Sequence, residues 1–500
     1  MSGVEFTYRE VNSSRSISGD TFDQGVIDFN WSTGQPTSWI PSKSYFRVEL
    51  EIRGTAGGGG AAGVQPETPE RLAFADNAVS CLFNNVYMRA GGQDISSIVN
   101  YVPQAAQTKS RLQKSGAWLN SIGKDAYMLE ASYAKRISNV SARPIPTLSD
   151  DYERVSLEAV GAPDCTLAVT AADGRVTGQR TVLDTAGLVN GDLLFIDGHV
   201  GRITTVAGDP VGAGMVITPF PTADIAATTN VYGLRKRNGG SRAKTFAIWQ
   251  PPIGIFDHDK PMGAGDYRIQ LNPNSDYKKA CVESVRAGLA APADFDVVVS
   301  KLTFYLATIK TSIPQGVETL YLMETMCQSK TVSSGSTQEF TVPSSTRGLA
   351  IFVQAQKAGT DVRVPPTSFK CLDESETTLQ SLQITYANCT KPSTRWDSSF
   401  SPTNNGMLQR FIDTQIESGL INNPGGSESF KDWMARGALY YYSFDRDSQD
   451  KSTQVQVSVN YTGALDGVAP ANLFVVAFYS RATEITTNNG SVVSVRTLNA

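Results

Sequence analysis

The feature that most constrains this chain is a hydrophobic period of two. Phe46, Val48, Leu50 and Ile52 alternate with Arg47, Glu49, Glu51 and Arg53. An extended segment with that pattern puts one face on a core and the other in water. Tyr267, Ile269 and Leu271 repeat the alternation, as do Leu302, Phe304 and Leu306 and, near the C-terminus, Val455, Val457, Val459 and Tyr461. Leu473–Tyr479 is apolar throughout and reads as a strand buried on both faces. With 43 Gly and 24 Pro, turns are frequent enough to separate many such strands. The expected class is all-β, built from β-sandwiches.

Two segments break the period. Met407, Leu408, Phe411, Ile412, Ile416 and Leu420 fall at helical spacing after Asn404-Asn405, which predicts an amphipathic helix over 405–420. A second helix is predicted over 103–121, entered at Pro103. Each follows a short apolar strand with a polar turn, Asn85 to Gly92 in one case and Leu382 to Asn388 in the other, and each is followed by more strands. This repeat of element order predicts two sandwiches of similar topology, 1–310 and 311–500, joined near Thr311 to Gly316. Between Gly161 and Leu234 there is no Lys, Glu or Trp, and that compositional shift predicts an inserted β-rich module over 161–234. Within it, Asp197-Gly198 joins Leu193–Ile196 to His199–Ile203 as a tight hairpin.

Charge excludes several function classes. Lys plus Arg is 44 against 48 for Asp plus Glu, a net charge of −4, so there is no global attraction for phosphate backbones or anionic membranes. The first fifty residues hold four basic groups, Arg9, Arg15, Lys43 and Arg47, against six acidic ones, so no basic arm is present there. The opening Met1 to Glu5 reads as no secretory signal, and no apolar run approaches the ~20 residues that span a bilayer, so no membrane insertion is expected. Cys81, Cys165, Cys281, Cys327, Cys371 and Cys389 lie far apart without a C-x-x-C pair and are expected as free, buried thiols in a reducing compartment.

No catalytic, cofactor-binding or metal-binding residues are assigned. The two histidines are His199, read as a hairpin residue, and His258, whose neighbours Asp257 and Asp259 point in different directions on an extended loop. Gly123-Lys124 lacks the rest of a phosphate loop, and Gly57 to Gly60 lacks its strand-to-helix context. Arg235, Lys236, Arg237, Arg242 and Lys244 form the one basic cluster, which reads either as a solvated hinge where the insert rejoins the sandwich or as a local contact for phosphate or an acidic partner. Trp249 is expected to pack beneath the Pro251-Pro252 corner.

Phe246 to Phe256, running into Asp266 to Asn272, resembles the double jelly-roll major capsid proteins of virophages, Polinton-like viruses and, more distantly, nucleocytoplasmic large DNA viruses. Ser300 to Ala307, Ile313-Pro314, Leu320 to Leu322 and Thr346 to Gln354 follow the order in which that family passes from its first jelly roll to its second. The resemblance implies two tandem eight-stranded jelly rolls, each with a helix, the 161–234 module standing out from the first as a tower. It implies a structural, non-enzymatic protein of the virion, made and assembled inside the host cell. Its partners would be itself, as a homotrimeric pseudo-hexagonal capsomer tiling an icosahedral shell, and penton and minor capsid proteins, with no cofactor and no specific nucleic-acid binding. The alternative class is a β-sandwich adhesin or carbohydrate-binding surface protein, which exposed aromatic platforms on one sandwich face would favour.

Overall fold

The computed structural model describes residues 6–17, 21–34, 36–54, 72–123, 126–127, 152–156, 167–172, 174–178, 193–197, 199–205, 215–218, 221–228, 231–236, 244–284, 295–311, 316–332, 335–355, 366–367, 381–393, 400–401, 404–420, 429–430, 433, 437–444, 452–460, 471–488 and 491–498. They are mostly strands, with few helices.

In the first half the main strands are β1 (Thr7–Asn12), β2 (Ile27–Thr33), β3 (Tyr45–Gly54), β4 (Phe83–Ala90) and β5 (Gln93–Val99), then helix α1 (Val102–Gln113), then β6 (Lys244–Trp249), β7 (Gly265–Pro273) and β8 (Phe295–Lys310). They form two antiparallel sheets, ordered β1-β8-β3-β6 and β2-β7-β4-β5. The predicted alternation is the reason they pack: Phe46, Val48 and Leu50 of β3 point inward against Phe29 of β2 and Ile269 of β7, while Arg47 and Glu49 stay at the surface.

The second half repeats this plan. β9 (Gly316–Val332), β10 (Ser336–Thr341), β11 (Thr346–Ala355), β12 (Ser381–Tyr386) and β13 (Cys389–Lys391) precede helix α2 (Gly406–Glu417). β14 (Tyr440–Ser443), β15 (Gln454–Asn460) and β16 (Ala471–Asn488) follow it. The sheets are ordered β9-β16-β11-β14 and β10-β15-β12-β13, the first-half order moved on by eight strands. Val455, Val457 and Val459 face Leu473, Val475 and Ala477 across a core that also holds Trp433 and Tyr440. The hairpins β4–β5 and β12–β13 turn on matching conformations, with positive φ at Gly91 and Gly92 in one and at Ala387 and Asn388 in the other.

Several local expectations change. The helix expected over 103–121 ends at Gln113, because Lys114 turns extended and Ser115 caps a separate short turn, its side chain accepting from Trp118 N. Two described groups of strands lie between α1 and β6. One sheet runs, in spatial order, Met215–Thr218, His199–Thr205, Leu193–Ile196, Val231–Lys236 and Tyr152–Ser156; the other joins Val176–Gly178, Leu167–Val169 and Ile225–Thr228. The Asp197 turn has positive φ, and Ile196 pairs with His199. Because Tyr152 pairs with Lys236, the larger sheet extends outside 161–234 on both sides.

Strands β9 and β16, 17 and 18 residues long, run well past their own core. Leu320, Leu322 and Ile485 in the overhang join the core of the first sandwich. A last strand, β17 (Ser491–Leu498), pairs with the same part of β16 and packs Val492 and Val495 against that core. Gly91 and Gly265 make room for Val492: a Cβ on either would come within 2.8 and 2.7 Å of it.

Candidate functional site

The residues singled out by chemistry do not converge. Asp257 closes a 3-10 turn and forms an ion pair with Lys109 of α1 at 2.6 Å. Burial and Lys260 push the His258 pKa down, against Asp259. His199 lies in the insert hairpin. Arg235 and Lys236 lie in a strand paired with Glu153 and Tyr152, Lys244 opens β6, and Arg237 and Arg242 lie outside the described residues. Cys81, Cys281 and Cys327 are buried, and burial pushes the Cys281 and Cys327 thiols far up. Cys389 departs from the expectation. It is exposed, because it starts the short strand β13 directly after a tight turn. Cys165 and Cys371 lie outside the described residues. Trp249 is buried, stacked on Phe83 at 4.8 Å and tilted against Phe46 at 5.7 Å. Among the described residues there is no group of three or more His, Cys, Asp or Glu placed to hold a metal ion, and no helix is long and apolar enough to cross a membrane.

What the fold does build is a set of joints and faces. At the joint between the sandwiches Glu324 of β9 is fully buried. It accepts from the Ser96 hydroxyl of β5 and from Gly254 N at 3.0 Å, while Ser96 Oγ accepts from Ile255 N at 3.2 Å. Burial pushes the Glu324 carboxyl up, and the bonds from Ser96 and Gly254 oppose that rise. Gly254 permits this close approach, since a Cβ there would lie 2.7 Å from Met323 O. Beside it, Thr325 Oγ1 donates to Pro252 O at 3.0 Å.

Helix α1 makes the second part of the joint. Leu112 and Tyr101 lie on the outer face of the β9-β16-β11-β14 sheet against Cys327, Phe352, Phe474 and Phe478. The buried Arg111 donates to Gly437 O at 2.8 Å, and the Tyr101 hydroxyl meets Ser329 Oγ at 2.9 Å. None of these partners is legible from spacing, because each is more than two hundred residues from its contact.

The outer face of the β1-β8-β3-β6 sheet carries aromatic rings instead. Tyr8 meets Tyr45 edge-on at 5.4 Å, Tyr45 stacks on Tyr305 at 5.3 Å, and Phe6 meets Tyr8 at 5.5 Å. The Tyr305 hydroxyl donates to Glu10 at 2.8 Å, and Arg47 lies 5.2 Å from the centre of the Phe246 ring.

No family model and no curated protein matches the chain. Solved structures do. A chain in the cryo-EM structure of the Sputnik virophage aligns over 100% of this chain and 89% of its own length, at 12% identity and a TM-score of 0.51. The two share a fold. The PBCV-1 virus capsid (99% and 98% covered, 10% identity, TM-score 0.45) and the mavirus major capsid protein (99% and 90% covered, 11% identity, TM-score 0.42) also align. The resemblance to double jelly-roll major capsid proteins holds at the level of fold.

Proposed function

We propose that the chain is the major capsid protein of an icosahedral DNA virus, that its two sandwiches are tandem eight-stranded jelly rolls, and that its work is assembly. The observation that carries this reading is the sheet order, β1-β8-β3-β6 over β2-β7-β4-β5, repeated eight strands later in a chain that aligns end to end with a virophage protein. Three copies would place six barrels around one axis and make a pseudo-hexagonal capsomer, with the insert over 161–234 as an outward tower. The capsomers would tile a shell whose remaining positions are filled by penton and minor proteins. Lateral contacts of this obligate kind bury over ~2,000 Å² with apolar centres. The charged share of 18% suits a surface that copies of itself cover. The aromatic face fits protein contact better than sugar binding, since Tyr45 and Tyr305 turn their ring faces to each other.

Light scattering on the purified chain after size exclusion tests the reading: a particle of about three times 53.8 kDa supports it, and a monomer at micromolar concentration overturns it.

A further inference from the structure

Three adjacent strands place a carboxylate and two phenols in one row. In the sheet β1-β8-β3-β6 the register sets Glu10 of β1 directly opposite Tyr305 of β8, and Tyr305 directly opposite Tyr45 of β3. Side chains directly across a strand pair share a face, so all three groups stand on the outer side of the sheet. The inner side belongs to their sequence neighbours Val11, Phe304 and Phe46, which are buried in the core.

This row suits one-electron chemistry at the phenols. The Tyr305 hydroxyl donates to Glu10 Oε1 at 2.8 Å, so an acceptor for its proton is already in place. The same bond pushes the Tyr305 pKa up and keeps the resting phenol protonated, so its proton leaves only when an electron does. The Tyr305 and Tyr45 rings stack with centroids 5.3 Å apart and planes 11° from parallel. Rings so placed can bring together the carbons ortho to their hydroxyls, where an oxidised phenol carries much of its unpaired electron. Tyr8 meets Tyr45 edge-on, at 66°, and offers no such overlap. Both stacked rings are half-buried and Glu10 is exposed, so a soluble oxidant reaches them. A thiol would quench such a radical, and none of the described cysteines lies on the four strands of this sheet.

We propose that Tyr45 and Tyr305 are a dityrosine cross-linking site, with Glu10 as the proton acceptor, closed by a peroxide-driven one-electron oxidant. Each phenol loses one electron and one proton, Tyr305 passing its proton first to Glu10 and from there to water. The two radicals join through a bond between ring carbons ortho to their hydroxyls. The hydrogens on those carbons then move to the oxygens, which restores both phenols. Hydrogen peroxide takes up the two electrons and two protons and becomes two molecules of water. The new bond fastens β3 to β8, strands far apart in sequence. It lies within one chain, so the inference stands apart from the capsomer reading.

The test treats the full chain with hydrogen peroxide and a haem peroxidase, alongside Tyr45→Phe, Tyr305→Phe and Glu10→Gln. The Phe variants keep both rings, and Gln still accepts the phenol hydrogen bond but takes no proton, so each is expected to keep the parent's circular dichroism. The oxidised parent is expected to show dityrosine fluorescence at single-chain mobility in a denaturing gel. Its peptide map is expected to join positions 45 and 305 at a mass two hydrogen atoms below the sum of the separate peptides. Both Phe variants are expected to lose that linked peptide, and Glu10→Gln to slow its formation by roughly tenfold or more. A parent without the linked peptide, or one that joins Tyr8 to Tyr45 instead, overturns the proposal. An unchanged rate in Glu10→Gln overturns the role of Glu10. The parent's map needs no variant, so it decides the link even where a variant fails to fold. A parent that is monomeric by light scattering and still forms the link would sink the capsomer reading and leave this one standing.

Discussion

Replacing Glu324 by Gln is expected to stabilise the folded chain at neutral pH and to make little difference in mild acid. The carboxyl is fully buried in the joint between the sandwiches, and burial raises its pKa above the ordinary glutamate value. The folded state therefore holds a proton that the unfolded state has lost. The stability this gives is complete below the ordinary value of 4.5 and is lost as pH rises through the elevated folded value. Gln carries no charge at any pH, can accept from Gly254 N through its carbonyl and can donate to Ser96 Oγ, so it reproduces the protonated acid. At about pH 8 the gain should be roughly 1–3 kcal/mol, the range for a buried polar group left imperfectly compensated. Glu324→Ala removes the acceptor at every pH and orphans the Ser96 hydroxyl and the Gly254 amide, at about 1–3 kcal/mol each. Scanning calorimetry of the three proteins across the range from about pH 4 to pH 8 reads this directly, since 1 kcal/mol moves the melting point by roughly 2–4 °C in a unit of 150–250 residues. A Gln variant less stable than the parent at pH 8, or a difference that does not change with pH, would refute the reasoning.

Other perturbations test neighbouring parts of the account. Trp249→Ala should lower stability by ~3–5 kcal/mol in denaturant titrations, because it deletes a buried ring stacked on Phe83 and tilted against Phe46; a change within half a kcal/mol would place the ring at the surface. Gly254→Ala should cost about 1–3 kcal/mol by pushing a methyl against Met323 O, and the loss should shrink in a Glu324→Ala background where the joint is already loosened. Excising 152–236 behind a short Gly/Ser linker should leave the melting transition of both sandwiches intact, since Tyr152 and Lys236, the first and last residues removed, are strand partners. Aggregation of that product would mean that the insert belongs to the main core.

The sandwiches were legible because strands such as β3 have one wet face, so the pattern over Phe46 to Arg53 is a direct image of the pleat. The joint was not legible, and β9 shows why. Tyr321 is 79% exposed and Met323 40% exposed, whereas Glu324 is fully buried. A pattern reading assigns those residues the other way. The strand overhangs its own core there, and what it buries is chosen by Ser96 and Gly254, residues seventy or more positions away. Arg111 escaped notice for the same reason, as a charged residue near the end of a helix that serves a carbonyl of the other sandwich. The end of α1 at Gln113 was hidden by apolar residues beyond it that belong to separate turns. The candidate faces were half legible. Ile412 and Ile416 are plain in sequence as one side of an amphipathic helix, and the structure leaves Ile416 exposed and Ile412 half-buried.

The most direct measurement is electron microscopy of the purified oligomer, averaged without imposed symmetry. The account predicts a hexagonal outline in which six barrel densities surround a three-fold axis, two from each chain. Single two-lobed particles, or an oligomer whose barrels do not close into one ring, would contradict it.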